Sequence, residues 1–270
     1  VWMAIFVVAP IIIMVVYAFS TAAGDFTLEN FARMGTYTAV FTRSFKLAII
    51  ATLIALLIGY PVSYMLSKEG PQVQRIAMVL IMLPMWMNFL LRTYSWMSIL
   101  ENNGLLNQLF QQIGLIDLYN QIAMHFASDP AAYVPIDHFQ MIGTQGAVVL
   151  GMVYNYLPFM ILPIYSVLVK LDHSLIEAAR DLGASSVQVF RKVILPLSLP
   201  GVLSGITMVF VPSVSTFAIS RLLGGGTQMM LGDLIEQQFL GGAYNPQLGA
   251  AIALVMMAIV VVCMLVMNRF

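Results

Sequence analysis

Six stretches of this chain are apolar for long enough to cross a bilayer, and that recurring run length limits the fold more than any other feature. A spanning helix needs roughly 20 mostly apolar residues, because hydrocarbon holds no water to satisfy backbone N–H and C=O groups. The runs cover residues 1–20, 44–66, 75–100, 145–168, 199–222 and 249–267. The third carries Pro84 and Arg92 and the fifth carries Pro212, so both are interrupted by residues that a spanning helix tolerates poorly. Only 9% of the 270 residues are charged, far below the roughly 25% that a water-facing surface needs. The expected fold is therefore an all-α integral membrane protein of six transmembrane helices, one domain over residues 1–270. The first run is too long for a signal-peptide core and lacks an A-x-A site, so it reads as a first span whose lead-in has been trimmed.

The basic residues give the orientation. With the N-terminus inside, the inner segments hold Lys68, Arg75, Lys170, Arg180, Arg191, Lys192 and Arg269. The outer loop over 101–144 has no Lys or Arg but contains Glu101, Asp117, Asp129 and Asp137, and the outer loop over 223–248 also lacks both. Arg33 and Arg43 alone cut the other way. The positive-inside rule places both termini in the cytoplasm, in a cell membrane. Within the outer loop, Leu105, Leu106, Leu109, Phe110 and Ile113 follow Asn103-Gly104 at helical spacing, which predicts a short amphipathic helix.

The most polar inner segment, 171–197, reads as two capped helices around a hinge. Ser174 with Glu177 predicts a capping box for the first, and Gly183 a left-handed terminator. Ser185 with Gln188 predicts a second box. Val187, Phe190 and Ile194 are expected to form one apolar face, and Pro196 to stop the helix before the next span. Ala178 and Ala179 are small enough for another surface to approach closely. No P-loop occurs, so the chain is not expected to hydrolyse ATP. No His pair has metal-ligand spacing, and the lone Cys263 has no disulfide partner.

Glu177-Ala178-Ala179, then Gly183, then Leu195-Pro196, resembles the EAA loop of the membrane subunits of ABC importers. That family has Ile where Val193 stands here. Gly59-Tyr60-Pro61, Pro84 through Arg92-Thr93-Tyr94, Leu157-Pro158-Phe159-Met160, Asp181-Leu182-Gly183-Ala184 and Leu222-Leu223-Gly224-Gly225 are similar to the spermidine/putrescine importer permeases, the first of that system's two. The resemblance implies a non-catalytic permease subunit. Its elbow would dock on a cytoplasmic ATP-binding subunit present in two copies, through Glu177, Ala178, Ala179 and Gly183. It further implies a second permease sharing the pathway, an extracytoplasmic substrate-binding protein, and ATP and Mg used by the partner rather than bound here. Nucleic acid is not an expected partner.

Several polar residues lie within the apolar runs. Arg92 is the one formal charge deep in a predicted span, which costs on the order of 2.5–3.5 kcal/mol, so it should face protein or a watery path, or snorkel outward. Asp233 and Glu236 are three apart and share a helix face, as a cation site or as a solvated face. Asn88, Ser213, Ser215 and Thr216 are candidate pathway groups, although Ser and Thr in such helices often bond back to their own backbone. Trp86, Tyr94, Trp96, Tyr154 and Tyr156 suit either cation–π contact with an ammonium group or an interfacial belt. Three alternatives stand beside the polyamine reading. One is an ABC permease for another small solute, such as an organophosphonate or metal chelate, which Arg92 and Arg221 would suit. The others are an ATP-independent transporter and a polytopic membrane enzyme.

Overall fold

The computed structural model describes residues 2–126 and 134–269; Val1 and the outer-loop Asp129 lie outside the described residues. A π-turn at Ala4–Val8 leads into α1 (Ala9–Ala18), and α2 (Glu29–Arg33) leads through a 3-10 turn into α3 (Thr38–Ser67). Then come α4 (Pro71–Met82), a 3-10 turn at Leu83–Trp86, α5 (Phe89–Leu100), α6 (Leu105–Gln112) and α7 (Leu115–Phe126). The second half holds α8 (Gln145–Leu168), α9 (His173–Asp181), α10 (Ser186–Val189), α11 (Leu195–Ser215), α12 (Ala218–Leu223), α13 (Leu231–Leu240) and α14 (Pro246–Asn268).

Four helical stretches among the described residues are long and apolar enough to span: Glu29–Ser67, Gln145–Leu168, Ser186–Ser215 and Pro246–Met267. The predicted third span is not one helix. Pro71–Trp86 and Phe89–Gln112 meet at 89°, because Pro84 tightens the chain into a 3-10 turn and Met87 and Asn88 are extended. Asn88 then restarts the helix, its Oδ1 accepting the N–H groups of Leu90 (2.8 Å) and Leu91 (3.4 Å). The predicted first span is the shorter apolar helix Ile5–Ala18. The predicted fifth span starts earlier, and α11 ends at Thr216, which is extended.

α3, α8 and α11 pack on one another as the centre of the bundle. Close approach of α11 to α8 depends on two glycines. A Cβ on Gly201 would lie 2.8 Å from the Pro163 carbonyl oxygen, and one on Gly205 would lie 3.1 Å from that of Met160. Small residues at such contacts let dispersion hold helices together where lipid removes the hydrophobic incentive. Polar bonds add to this. The Tyr60 and Ser198 hydroxyls are 2.9 Å apart, and the Ser63 hydroxyl lies 3.1 Å from the Ile161 carbonyl.

Ala18 packs on Ala250 and Ala251 at the start of α14, and Met264 and Met267 at its far end lie beside Pro196 and Leu199. The start of α1 and the end of α14 therefore lie toward the same face of the bundle as α9 and α10. At the opposite face the predicted helix at Leu105 is present as α6. There the Asn107 and Asn120 side chains pair with the backbone of Phe139 and Ile136 as a neighbouring strand would (2.8–3.0 Å).

Candidate functional site

Two features bring the sequence-predicted residues into distinct settings: an elbow at one face and a seam between broken helices deeper in the bundle. In the elbow, α9 is capped by Asp172 and not by Ser174. Asp172 Oδ1 accepts the Ser174 N–H at 2.9 Å, so the predicted Ser174–Glu177 box is absent. Aspartate fills the cap as well as serine does, and it comes first in the chain. Glu177 is consequently not spent on its own helix; it is exposed, as is Ala178, while Ala179 packs inward beside Ile176 and Ala184. Gly183 has φ +79°, and the Ala184 N–H reaches the Ala179 carbonyl at 3.0 Å, which closes the helix end.

The Ser185–Gln188 box forms as expected. The predicted apolar face is altered: Val189 and Ile194 are buried and Phe190 is half-buried, while Val187 is 73% exposed. Nor does Pro196 stop the helix. A π-turn at Phe190–Ile194 joins α10 to α11, and Pro196 lies in the first turn of α11. The wide turn shifts which residues face the bundle and leaves no donor wanting at the proline. Leu182, 89% exposed, is like Val187, Glu177 and Ala178 turned away from the core of the bundle.

At the seam, Arg92 is only 8% exposed, and its Nε and Nη1 have no acceptor among the described residues. It sits near Tyr156, which in turn lies close to Thr216. Arg92, Tyr156 and Thr216 thus bring α5, α8 and the broken end of α11 to one place. Asn155, beside Tyr156 in the sequence of α8, is also buried; its amide donates to the Gly151 carbonyl at 2.9 Å while its Oδ1 lacks a partner among the described residues. Asn155 was not singled out from the sequence, though an Asn in mid-run is itself a polar signal.

The remaining candidates are dispersed. Ser213 and Ser215 bond back to the Val209 (2.7 Å) and Val211 (3.2 Å) carbonyls. Tyr154 stacks edge-on with Trp96, ring centres 5.3 Å apart, whereas Asn88 and Tyr94 are exposed. Asp233 and Glu236 do share α13, but each has its own partner. Glu236 pairs with Arg221 at 2.6 Å. Asp233, 4% exposed, accepts through Oδ2 from the Ser220 hydroxyl (2.5 Å) and the Met230 N–H (2.9 Å). The shared acidic face is thus an internal latch joining α12 to α13.

Burial raises the Asp233 carboxyl above its ordinary value, against the bonds from Ser220 and Met230 and the nearby Arg221 that lower it; α13 lies outside the spanning helices. A carboxyl raised in the folded state binds its proton more tightly folded than unfolded. Its contribution is full below the ordinary carboxylate range and is lost as pH rises through the raised value. Asp233→Asn keeps an acceptor oxygen and removes the ionisation, so it is expected to lose that decline in stability between acidic and neutral pH. Asp233→Ala loses both bonds and is expected to cost about 1–3 kcal/mol. Thermal unfolding in detergent at the two pH values distinguishes them.

Residues 52–270 match the family described as binding-protein-dependent transport system inner membrane component. The chain is 36% identical over 247 residues to the spermidine/putrescine transport system permease protein PotB of Haemophilus influenzae, covering 88% of this chain and 80% of that protein. It is equally similar to the same protein of Escherichia coli, covering 83% of it. Among solved structures, the bacterial ABC transporter that imports the acidic polysaccharide alginate aligns over 99% of this chain and 90% of that one, with a TM-score of 0.77 at 16% identity. The MetNI methionine ABC transporter aligns over 88% of this chain and 95% of that one, with a TM-score of 0.61 at 18% identity.

Proposed function

This chain belongs to the binding-protein-dependent transport system inner membrane component family, and from that premise we propose that it carries spermidine and putrescine across the membrane. It is a multi-pass, non-catalytic permease subunit of an ATP-driven importer. The observation that carries the substrate is the 36% identity, over most of both chains, to relatives named for spermidine and putrescine transport. Arg221, which would repel a cationic cargo as a bare charge, is offset by Glu236.

The elbow over 171–197 of this single 1–270 permease domain docks on a cytoplasmic ATP-binding subunit. Glu177, Ala178, Ala179 and Gly183 shape the contact. Support comes from an exposed Glu177 that no longer serves its own helix and from Leu182 standing clear of the bundle. Two ATP-binding subunits, a second permease and an extracytoplasmic binding protein complete the assembly. ATP and Mg act on the ATP-binding subunits; this chain holds neither. Both termini and the elbow face the cytoplasm of the cell, and the basic residues gathered at that face support the orientation.

The pathway runs past the seam of Arg92, Tyr156 and Thr216, with Asn88, Tyr94 and Tyr154 on its α5 and α8 walls. Ser213, Ser215, Asp233 and Glu236 hold the shape of its α11–α13 side. A second reading, import of an anionic solute such as an organophosphonate, is favoured by one observation, the buried Arg92 whose Nε and Nη1 find no acceptor among the described residues. The test is uptake in cells that lack their own polyamine importers, given this chain with its co-purifying subunits. Saturable, ATP-dependent spermidine uptake that putrescine inhibits is expected. Transport of a phosphonate with none of spermidine would overturn the first reading in favour of the second.

A further inference from the structure

A cavity of about 350 Å³ lies between the elbow and the adjoining ends of α3 and α8. Its floor is apolar, including Leu171, Ile176 and Val189, and its rim is basic and hydroxylic, with Lys68, Arg180 and Ser186. The two cations come from different parts of the fold. Lys68 ends the 30-residue helix α3, and Arg180 lies in the last turn of α9. Lys68 is held in place by its ammonium 3.9 Å above the Tyr64 ring, a contact that orients the charge without neutralising it.

Neither cation forms an ion pair among the described residues. The ion pairs among the described residues are Arg33–Glu29 and Arg221–Glu236, and His138 contacts Asp137; all are away from this cavity. The hydroxyl of Ser67 donates to the Tyr64 carbonyl at 2.9 Å and is committed, whereas that of Ser186 makes no bond to the described residues and remains a donor. Two cations without an ion-pair partner among the described residues and a free hydroxyl donor thus stand above an apolar floor, where the other polar side chains are the neutral hydroxyls of Tyr64 and Ser67. Point-charge ammonium and forked guanidinium together suit a tetrahedral oxyanion.

We propose that this cavity binds a phosphate group, with the ammonium of Lys68 and the guanidinium of Arg180 sharing its oxygens and the Ser186 hydroxyl completing the set. The apolar floor and the position at the end of a spanning helix suit the phosphodiester of an anionic lipid; free phosphate offers the same oxygens. A phosphate held this way ties the elbow to the end of α3 and slows its opening.

The full chain, with whatever subunits co-purify, is reconstituted in nanodiscs of phosphatidylcholine alone, of phosphatidylcholine with phosphatidylglycerol, and of phosphatidylcholine with added inorganic phosphate. Amide hydrogen exchange is read over α9 and α10. Phosphatidylglycerol is expected to slow exchange there about tenfold, from two basic contacts. The double variant Lys68→Gln, Arg180→Gln is expected to show no slowing while its α3, α8 and α11 amides exchange as in the parent. Slowing by inorganic phosphate alone, abolished in the variant, supports the site and assigns the ligand to free phosphate. Equal slowing in parent and variant, or none with either phosphate source, overturns the site.

Discussion

Exchanging Glu177 for arginine is expected to abolish ATP-driven uptake and to strip the ATP-binding subunit from the purified complex, while the chain inserts as before. Glu177 stands exposed on α9, and the cap of that helix is filled by Asp172. The exchange therefore leaves the elbow's own stability nearly untouched and acts on whatever lies opposite. Reversing the charge turns a complementary contact of Glu177 into a like-charge one, which costs several kcal/mol, so the affinity for the partner is expected to fall by about two orders of magnitude or more. Co-purification at matched expression checks it, with span amide exchange as the folding control. Retention of the ATP-binding subunit by Glu177→Arg at parental levels would remove the elbow from the coupling role.

Gly201→Leu is expected to have the largest effect on folding. A Cβ at 201 meets the Pro163 carbonyl oxygen at 2.8 Å and the Ile164 Cα at 3.1 Å, and both are backbone atoms that no rotamer change can move. Even Gly201→Ala must push α11 off α8, at a cost of about 1–3 kcal/mol, and leucine adds a branched chain to the same collision. Gly146→Ala provides the comparison, because nothing lies closer than 3.7 Å to its Cβ. Apparent unfolding temperature in detergent should fall steeply for Gly201→Leu, measurably for Gly201→Ala, and not at all for Gly146→Ala. Equal values for all three would mean that α8 and α11 do not pack as described.

Much of the architecture is legible from run length. The second, fourth and sixth apolar runs are helices α3, α8 and α14, because a continuous apolar stretch of that length has few alternatives in lipid. The third run misleads for the same reason. Averaged hydropathy is blind to direction, and an 89° turn at Pro84–Asn88 leaves both arms as apolar as before. In the elbow, Gly183 and the Ser185–Gln188 box follow from local chemistry that acts within a few residues. The choice of Asp172 over Ser174 does not, since both are good caps two positions apart. Pro196 misleads because the stop rule assumes an α-helical donor pattern, and a π-turn changes which donors are needed. The Ser220–Asp233 latch joins residues 13 apart across a glycine-rich turn, and the Arg92–Tyr156–Thr216 seam joins three helices. Pairing at that distance has no periodicity to read.

The π-turn at Phe190–Ile194 has a mechanical consequence. Because it carries the chain past Pro196 without a break, Ser186–Ser215 is one rod of 30 residues, about 45 Å long at 1.5 Å per residue. The rod has the elbow at its foot and the Thr216 break at its tip. A tilt of about 5° at the foot would swing the tip by about 4 Å over that length, enough to carry Thr216 away from Tyr156. A small stroke at one surface of the protein is thereby geared up into a larger displacement at the other end of the lever.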